Sequence, residues 1–290
     1  MRQRLNKLMI LLLIISTFLT SAEALSASSS ASSNASTQLA AIADSSGSLS
    51  QADKAKSGKK GKKRRTDSMS WVKLQQRYPG AYFLNGSRLK KEAALTFDDA
   101  PDPRFTPAIL DILAKHHVQA TFFLVGTRAS KHPEIVKRIH REGHIIGNHS
   151  YNHEVMSRLS PNAFHRQVWQ TDAILSRMIP YHPHFFRPPY GEMLPKQVAW
   201  AQNNGYIVVN WDVDSADWKN NPSSKVILSN MHRTLRPGSI ILQHAGGGAA
   251  QSLSGTIEAL PQLIASLQQK GYRIVTLPEL LGKSAERRIR

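Results

Sequence analysis

The 290-residue chain is long enough for one large domain or two small ones, and its 41% hydrophobic content supports a sizeable core. The absence of cysteine excludes disulfides, cysteine–zinc sites and a cysteine nucleophile, so any metal must be held by histidine and carboxylate. The formal charge of +18 is unevenly placed along the chain, and its position says more than its size.

Arg2, Arg4 and Lys7 precede an apolar run from Leu8 to Leu19, and Ala22-Glu23-Ala24 follows. This charged, apolar, small-residue order over residues 1–24 is that of a secretory signal with an A-x-A cleavage site. The run is short for a span of about 20 apolar residues, and an uncleaved N-terminal anchor is the alternative reading. Either way the protein is expected to be exported, as a secreted or cell-envelope-associated chain.

Residues 25–68 read as a linker. The first part is mostly Ser and Ala, too polar to offset its ordering entropy by burial. The second part, Lys54 to Arg65, carries eight positive charges in twelve residues, which self-repulsion keeps extended. It reads as a solubilising spacer or as a tether to an anionic cell-envelope polymer; nucleic acid is not the expected partner of an exported chain.

From residue 69 to 290 the texture is that of a packed domain. Short apolar, β-rich runs recur at Ala93–Phe97, Ala120–Val125, His144–Gly147, Phe185–Arg187, Tyr206–Asp212, Ser239–Gln243 and Tyr272–Leu277. Helical spacing lies between them at Thr106–His116 and Pro133–Arg141, with Gly143 suited to a C-cap. Ser160-Pro161 suits an N-cap and first helical position ahead of Ala163–Met178, and Gly255–Gln269 reads as a last helix. Such alternation predicts parallel strands with crossover helices, in an α/β barrel or a doubly wound sheet. Asp98-Asp99, His149, Arg187, Asp214 and His244 all fall just after apolar runs, which favours a barrel, whose sites form at the C-terminal ends of strands.

Each of these segments has an ordinary structural reading when taken alone. Asp98-Asp99 could simply open a solvated turn, or supply a metal ligand beside a base. His149 and His153, four residues apart, can converge on a helical turn or a tight loop. Two neutral imidazoles and one carboxylate leave an open position for water on a catalytic zinc. In Arg187-Pro188-Pro189-Tyr190-Gly191 the prolines fix the backbone and the glycine permits positive φ, so the turn can aim an N–H at an oxyanion while Arg187 pairs with a carboxylate. Trp211-Asp212-Val213-Asp214-Ser215-Ala216-Asp217-Trp218 combines carboxylate with indole, and His244 follows another apolar strand. A histidine beside an aspartate becomes a tuned acid.

Together the segments resemble the polysaccharide deacetylase family, also called the NodB-homology or carbohydrate esterase family 4 type. The resemblance covers about Lys91 to Leu280 and rests on five motifs in order: Thr96–Asp99, His149–His153, Arg187–Gly191, Asp214–Trp218 and Leu242–His244. It implies an α/β fold, a distorted (β/α)7 barrel, and metal-dependent removal of acetyl groups from an N-acetylated polysaccharide such as peptidoglycan or a chitin-like glycan. It further implies Asp99, His149 and His153 as ligands of a divalent metal, zinc above all. Asp98 would be the general base oriented by Arg187, and His244 the general acid tuned by Asp214. The Tyr190 backbone N–H would face the oxyanion, with Trp218, Leu242 and Pro189 around the acetyl group. A monomer is the expected assembly. A non-catalytic glycan binder is the main alternative, and an iron-dependent oxygenase with two His and one carboxylate is a second. Ala100 departs from the pattern by standing where the family has glycine; alanine disfavours positive φ, so the loop after Asp99 is expected either to differ slightly or to tolerate the methyl.

Overall fold

The computed structural model describes residues 69–288; the expected signal or anchor over 1–24 and the linker over 25–68 lie outside the described residues. Among the described residues no helix is long and apolar enough to cross a membrane.

In chain order the elements are α1 (Trp71–Arg77), β1 (Tyr82–Phe83), β2 (Glu92–Ala100), α2 (Thr106–Lys115), β3 (Thr121–Leu124), α3 (Gly126–Lys131), α4 (Pro133–Arg141) and β4 (Ile145–Asn148). There follow α5 (Pro161–Leu175), β5 (Phe185–Phe186), α6 (Pro195–Asn203), β6 (Ile207–Val209), β7 (Val213–Asp214), α7 (Ser224–Thr234), β8 (Ser239–His244), α8 (Ser254–Gln269), β9 (Arg273–Val275) and α9 (Leu277–Leu281).

All named strand pairings are parallel, in the order β1-β6-β5-β4-β3-β2-β8-β7, with β9 beside the first residues of β2. The seven apolar runs become β2, β3, β4, β5, β6, β8 and β9, and two-residue β1 and β7 extend the sheet at its ends. Among the described residues no ladder joins β1 to β7, so the sheet curls into a distorted barrel that its hydrogen bonds leave open.

Alternation along each strand divides the core. Ala94, Phe123, Phe185, Val209 and Ile240 pack together inside the curl. Their neighbours Leu95, Phe97, Phe122 and Ile241 join Ile109, Ile139, Leu260 and Leu263 from the surrounding helices. A third cluster sets Leu74, Phe164, Val168 and Val198 of α1, α5 and α6 against Tyr82, Phe186 and Val208.

Local sequence explains where the helices sit. The Ser160 hydroxyl accepts the Ala163 N–H at 3.4 Å, and Pro161 opens α5. Phe164, Val168, Thr171 and Leu175 then recur on its buried face. In α4 the buried residues are Ile135, Val136 and Ile139, and Gly143 after it adopts φ 82°. These devices aim every strand the same way, which brings the loops after β2, β4, β5, β7 and β8 to one end of the barrel.

Candidate active site

Asp98 and Asp99 end β2 and differ sharply in surroundings. Asp98 is 3% exposed and takes a 2.7 Å ion pair from Arg187 Nη1. Asp99 is less deeply buried and has a left-handed backbone, at φ 65°, yet both carboxylates face His149 Nε2, Asp98 at 3.6 Å and Asp99 at 3.7 Å. The strain expected at Ala100 therefore falls on Asp99: Ala100 is not left-handed, its Cα pairs with that of Leu124, and its carbonyl accepts the Val125 N–H at 2.9 Å. Of the two outcomes expected at Ala100, the loop therefore tolerates the methyl.

Arg187 is fully buried, which is tolerable only because each of its guanidinium nitrogens has an acceptor. Besides Asp98 it donates to Thr96 Oγ1 at 2.9 Å, the Val209 carbonyl at 3.0 Å and the Asn210 carbonyl at 3.3 Å. Its guanidinium also lies 4.2 Å from the centre of the Phe123 ring. Burial pushes the Asp98 carboxyl above its ordinary value, while Arg187 pulls the other way and fixes its orientation.

The loop after β4 supplies two imidazoles. His149 Nδ1 lies 2.7 Å from the Arg187 carbonyl. A carbonyl can only accept, so Nδ1 carries the proton and Nε2 turns a lone pair into the site. Burial, helped by His153 and opposed by Asp99, holds His149 down to about 3, so it is neutral at any working pH. His153, left-handed at φ 64°, brings its Nε2 to 3.3 Å from Asp99 Oδ1, and His149 Nε2 lies 3.7 Å from the same oxygen.

Asp99 Oδ1 is buried and has no hydrogen-bond partner among the described residues, which is costly for a carboxylate oxygen with nothing to neutralise it. One donor atom from each of Asp99, His149 and His153 lies within 4.8 Å of the others. Two imidazoles and an unsatisfied carboxylate are three donors of the kind that hold a divalent ion and leave it a coordination position for water.

The acid end differs from expectation. His244 Nδ1 pairs at 2.7 Å with Asp217 Oδ1, not with Asp214. Asp217 is 1% exposed, and its other oxygen accepts the His244 N–H and the Thr256 hydroxyl, each at 2.8 Å. Asp214 instead accepts Trp211 Nε1 at 3.1 Å and the Ala216 N–H at 2.7 Å. The left-handed turn at Ala216, φ 52°, swings Asp217 towards β8, and nothing about an alanine announces such a turn. Both aspartates lie in one short motif, so the sequence located the loop but not the member that faces His244. Burial alone would lower the His244 imidazole; Asp217, then Asp99 and Asp98, outweigh it and raise the group to about 9.

The remaining expected residues occupy the same end. Pro189 is buried, and Tyr190 is left-handed at φ 60° with its ring edge-on to His153 at 4.9 Å. Leu242 is buried and in register with Thr96 and Asp214. Trp218, next to Asp217, is half-exposed.

Fold and site together define an α/β metallohydrolase with an acid–base pair flanking a three-ligand cluster. The chain belongs to the polysaccharide deacetylase family, whose description matches residues 85–209. It is 45% identical over 222 residues to a peptidoglycan-N-acetylglucosamine deacetylase of Bacillus cereus, covering 77% of this chain and 80% of that one. It is 37% identical over 195 residues to a chitooligosaccharide deacetylase of a Bradyrhizobium strain, covering 64% and 89%. A crystal structure of a peptidoglycan N-acetylglucosamine deacetylase with a naphthyl N-hydroxybenzamide shares 45% identity and superposes with a TM-score of 0.71, covering 74% of this chain and 99% of that one. A family 4 pseudoenzyme from Bacillus anthracis, 32% identical with a TM-score of 0.65, covers 73% and 72%. The chain is thus a metal-dependent hydrolase of carbon–nitrogen bonds that removes acetyl groups from N-acetylated polysaccharide.

Proposed function

We propose that the chain deacetylates N-acetylglucosamine residues of peptidoglycan outside the cytoplasmic membrane, as a monomer, with zinc held by Asp99, His149 and His153. The observation that carries the reading is the unsatisfied, buried Asp99 oxygen facing two imidazoles beside the Asp98–Arg187 pair. The peptidoglycan deacetylases among the similar proteins support the substrate, and the order of residues 1–24 supports export. The basic run from Lys54 to Arg65 suits retention on an anionic envelope polymer.

A divalent ion in this position would act as a Lewis acid and lower the pKa of bound water towards about 7. Asp98, held by Arg187, removes a proton from the water that attacks the amide carbonyl carbon. The Tyr190 N–H, set by the Pro188-Pro189 turn, faces the developing oxyanion, a contribution of roughly 3–4 kcal/mol for one well-placed donor. His244 Nε2–H then protonates the departing nitrogen as the C–N bond breaks, leaving acetate and a free amine. Asp217 keeps His244 protonated until that moment. Leu242, Pro189 and Trp218 border the space for the acetyl methyl.

The test is acetate release from purified cell-wall glycan, chitin oligomers and acetylated xylan. Metal-loaded protein is compared with chelated protein and with Asp98→Asn. We expect release from cell-wall glycan that chelation abolishes and Asp98→Asn lowers about 10²–10⁴-fold. Release from chitin oligomers or xylan but not from cell-wall glycan would sink the substrate assignment. No release from any of them by metal-loaded protein would sink the reaction.

A further inference from the structure

The three loops that build the site are joined by a short segment that touches no reacting atom. The Gly126 N–H donates to the Ser150 carbonyl at 2.9 Å, and the Thr127 N–H to the Tyr151 carbonyl at 2.8 Å. These two bonds brace the backbone between His149 and His153. The next residue, Arg128, faces the other two loops. Its Nη1 donates to the Asp99 carbonyl at 3.1 Å and its Nη2 to the Gly247 carbonyl at 3.0 Å. The guanidinium is further anchored by Asp102 Oδ2 at 3.3 Å, a buried carboxylate that also receives Arg104 at 2.7 Å.

The closeness of the two loops is confirmed from the other side. A Cβ on Gly246 would collide with the Asp99 carbonyl and with Arg128 Nη1. The backbone two residues beyond His244 therefore rests directly on the backbone of Asp99, and one planar guanidinium spans the seam. Arg104 makes a useful contrast. It reaches Asp102 and the Gly247, Gly248 and Ala249 carbonyls at 3.0, 3.2 and 3.3 Å, but not Asp99.

We propose that Arg128 is a positioning residue, which holds the strained Asp99 backbone and the loop after His244 at a fixed separation and so sets the metal ligand against the acid. The proposal rests on the metal-dependent reading of the site. A carbonyl lock on a left-handed, non-glycine residue holds it in a conformation that is otherwise strained. Lysine cannot replace it, because one ammonium does not bridge two carbonyls in the geometry of a planar fork.

The experiment measures zinc affinity by chelator competition, and kcat and KM for acetate release, on the full chain. Wild type is compared with Arg128→Met, Arg128→Lys and Arg104→Met. We expect Arg128→Met to weaken zinc binding and lower kcat by about 10–100-fold each with KM little changed, Arg128→Lys to recover only part of this, and Arg104→Met to stay within about threefold of wild type in zinc affinity. Metal-free thermal denaturation checks that each variant folds; should Arg128→Met fail, Arg128→Lys alone decides. Wild-type zinc affinity in Arg128→Lys, or equal losses in Arg128→Met and Arg104→Met, would overturn the proposal. Weakened zinc binding in a protein whose wild type releases no acetate would leave the positioning role standing and refute the deacetylase reading.

Discussion

At the scale of single residues, the acid end of the site makes the sharpest statement. His244 is part-buried beside Asp217, and a general acid must hold its proton to act, so activity is lost as pH rises through its pKa. Asp217→Asn removes the charge that outweighs burial. The alkaline limb of the kcat/KM profile is therefore expected to move to lower pH. Asp214→Asn, which touches Trp211 and the Ala216 N–H, is expected to leave that limb in place. A profile that moved with Asp214→Asn and not with Asp217→Asn would contradict the geometry. The same pair marks how far the residues were legible in advance. The motif spacing brought Asp98, Asp99, His149, His153, Arg187 and His244 to one end of the barrel, because each follows an apolar run that became a strand. Choosing between Asp214 and Asp217 needed the left-handed turn at Ala216, which no local preference of alanine encodes. Arg128 was invisible for a different reason. Two of its partners are backbone carbonyls on distant loops, and carbonyls have no sequence signature.

At the scale of elements, helices with a cap and a periodic apolar face were readable, and short ones were not. Pro133–Arg141 was placed at its observed limits, and Ser160 caps α5 as its hydroxyl suggests. By contrast α3, Gly126–Lys131, buries only Gly126 and Ala129 and offers no period to read. The two-residue strands β1 and β7 are equally silent, since their pairing depends on long-range neighbours rather than on composition. The inward face of β4 carries a constraint of its own. A Cβ on Gly147 would lie 2.6 Å from the Phe123 ring and 3.3 Å from the Phe185 carbonyl. Gly147→Ala is therefore expected to destabilise the protein by about 1–3 kcal/mol through overpacking, read by denaturant titration. Because His149 lies two residues on, zinc affinity should fall with it. An unchanged unfolding midpoint would show that the barrel interior yields more easily than its contacts imply.

At the scale of the whole molecule, one buried histidine outside the site weakens the fold in acid. His144 is 3% exposed and its Nδ1 accepts the Ala120 N–H at 3.1 Å, so the folded state keeps it neutral. Burial lowers it from 6.5 to about 4, with Glu142 opposing. The unfolded chain then binds more protons than the folded one between these values, so stability falls as pH drops through that window. The contribution is complete above pH 6.5 and amounts to about 3 kcal/mol. His144→Asn keeps an acceptor for Ala120 but does not titrate. Its unfolding free energy is expected to depend less on pH between about 6.5 and 4 than that of wild type, in parallel urea titrations. Equal slopes would show that His144 is protonated in the native fold without cost.

The buried Arg187–Asp98 pair bears on how such a protein could age. An enzyme released from selection loses its working parts in the order that harms the fold least. Asp99 and His153 are only part-buried and neither is ion-paired to a buried guanidinium, whereas removing Asp98 strands a fully buried one, a loss of about 3–5 kcal/mol when one partner of such a pair goes. Decay in this lineage would thus begin at the metal ligands and leave the base standing. A silent descendant would keep the Arg187–Asp98 pair as an inherited structural strut, long after it had ceased to move a proton.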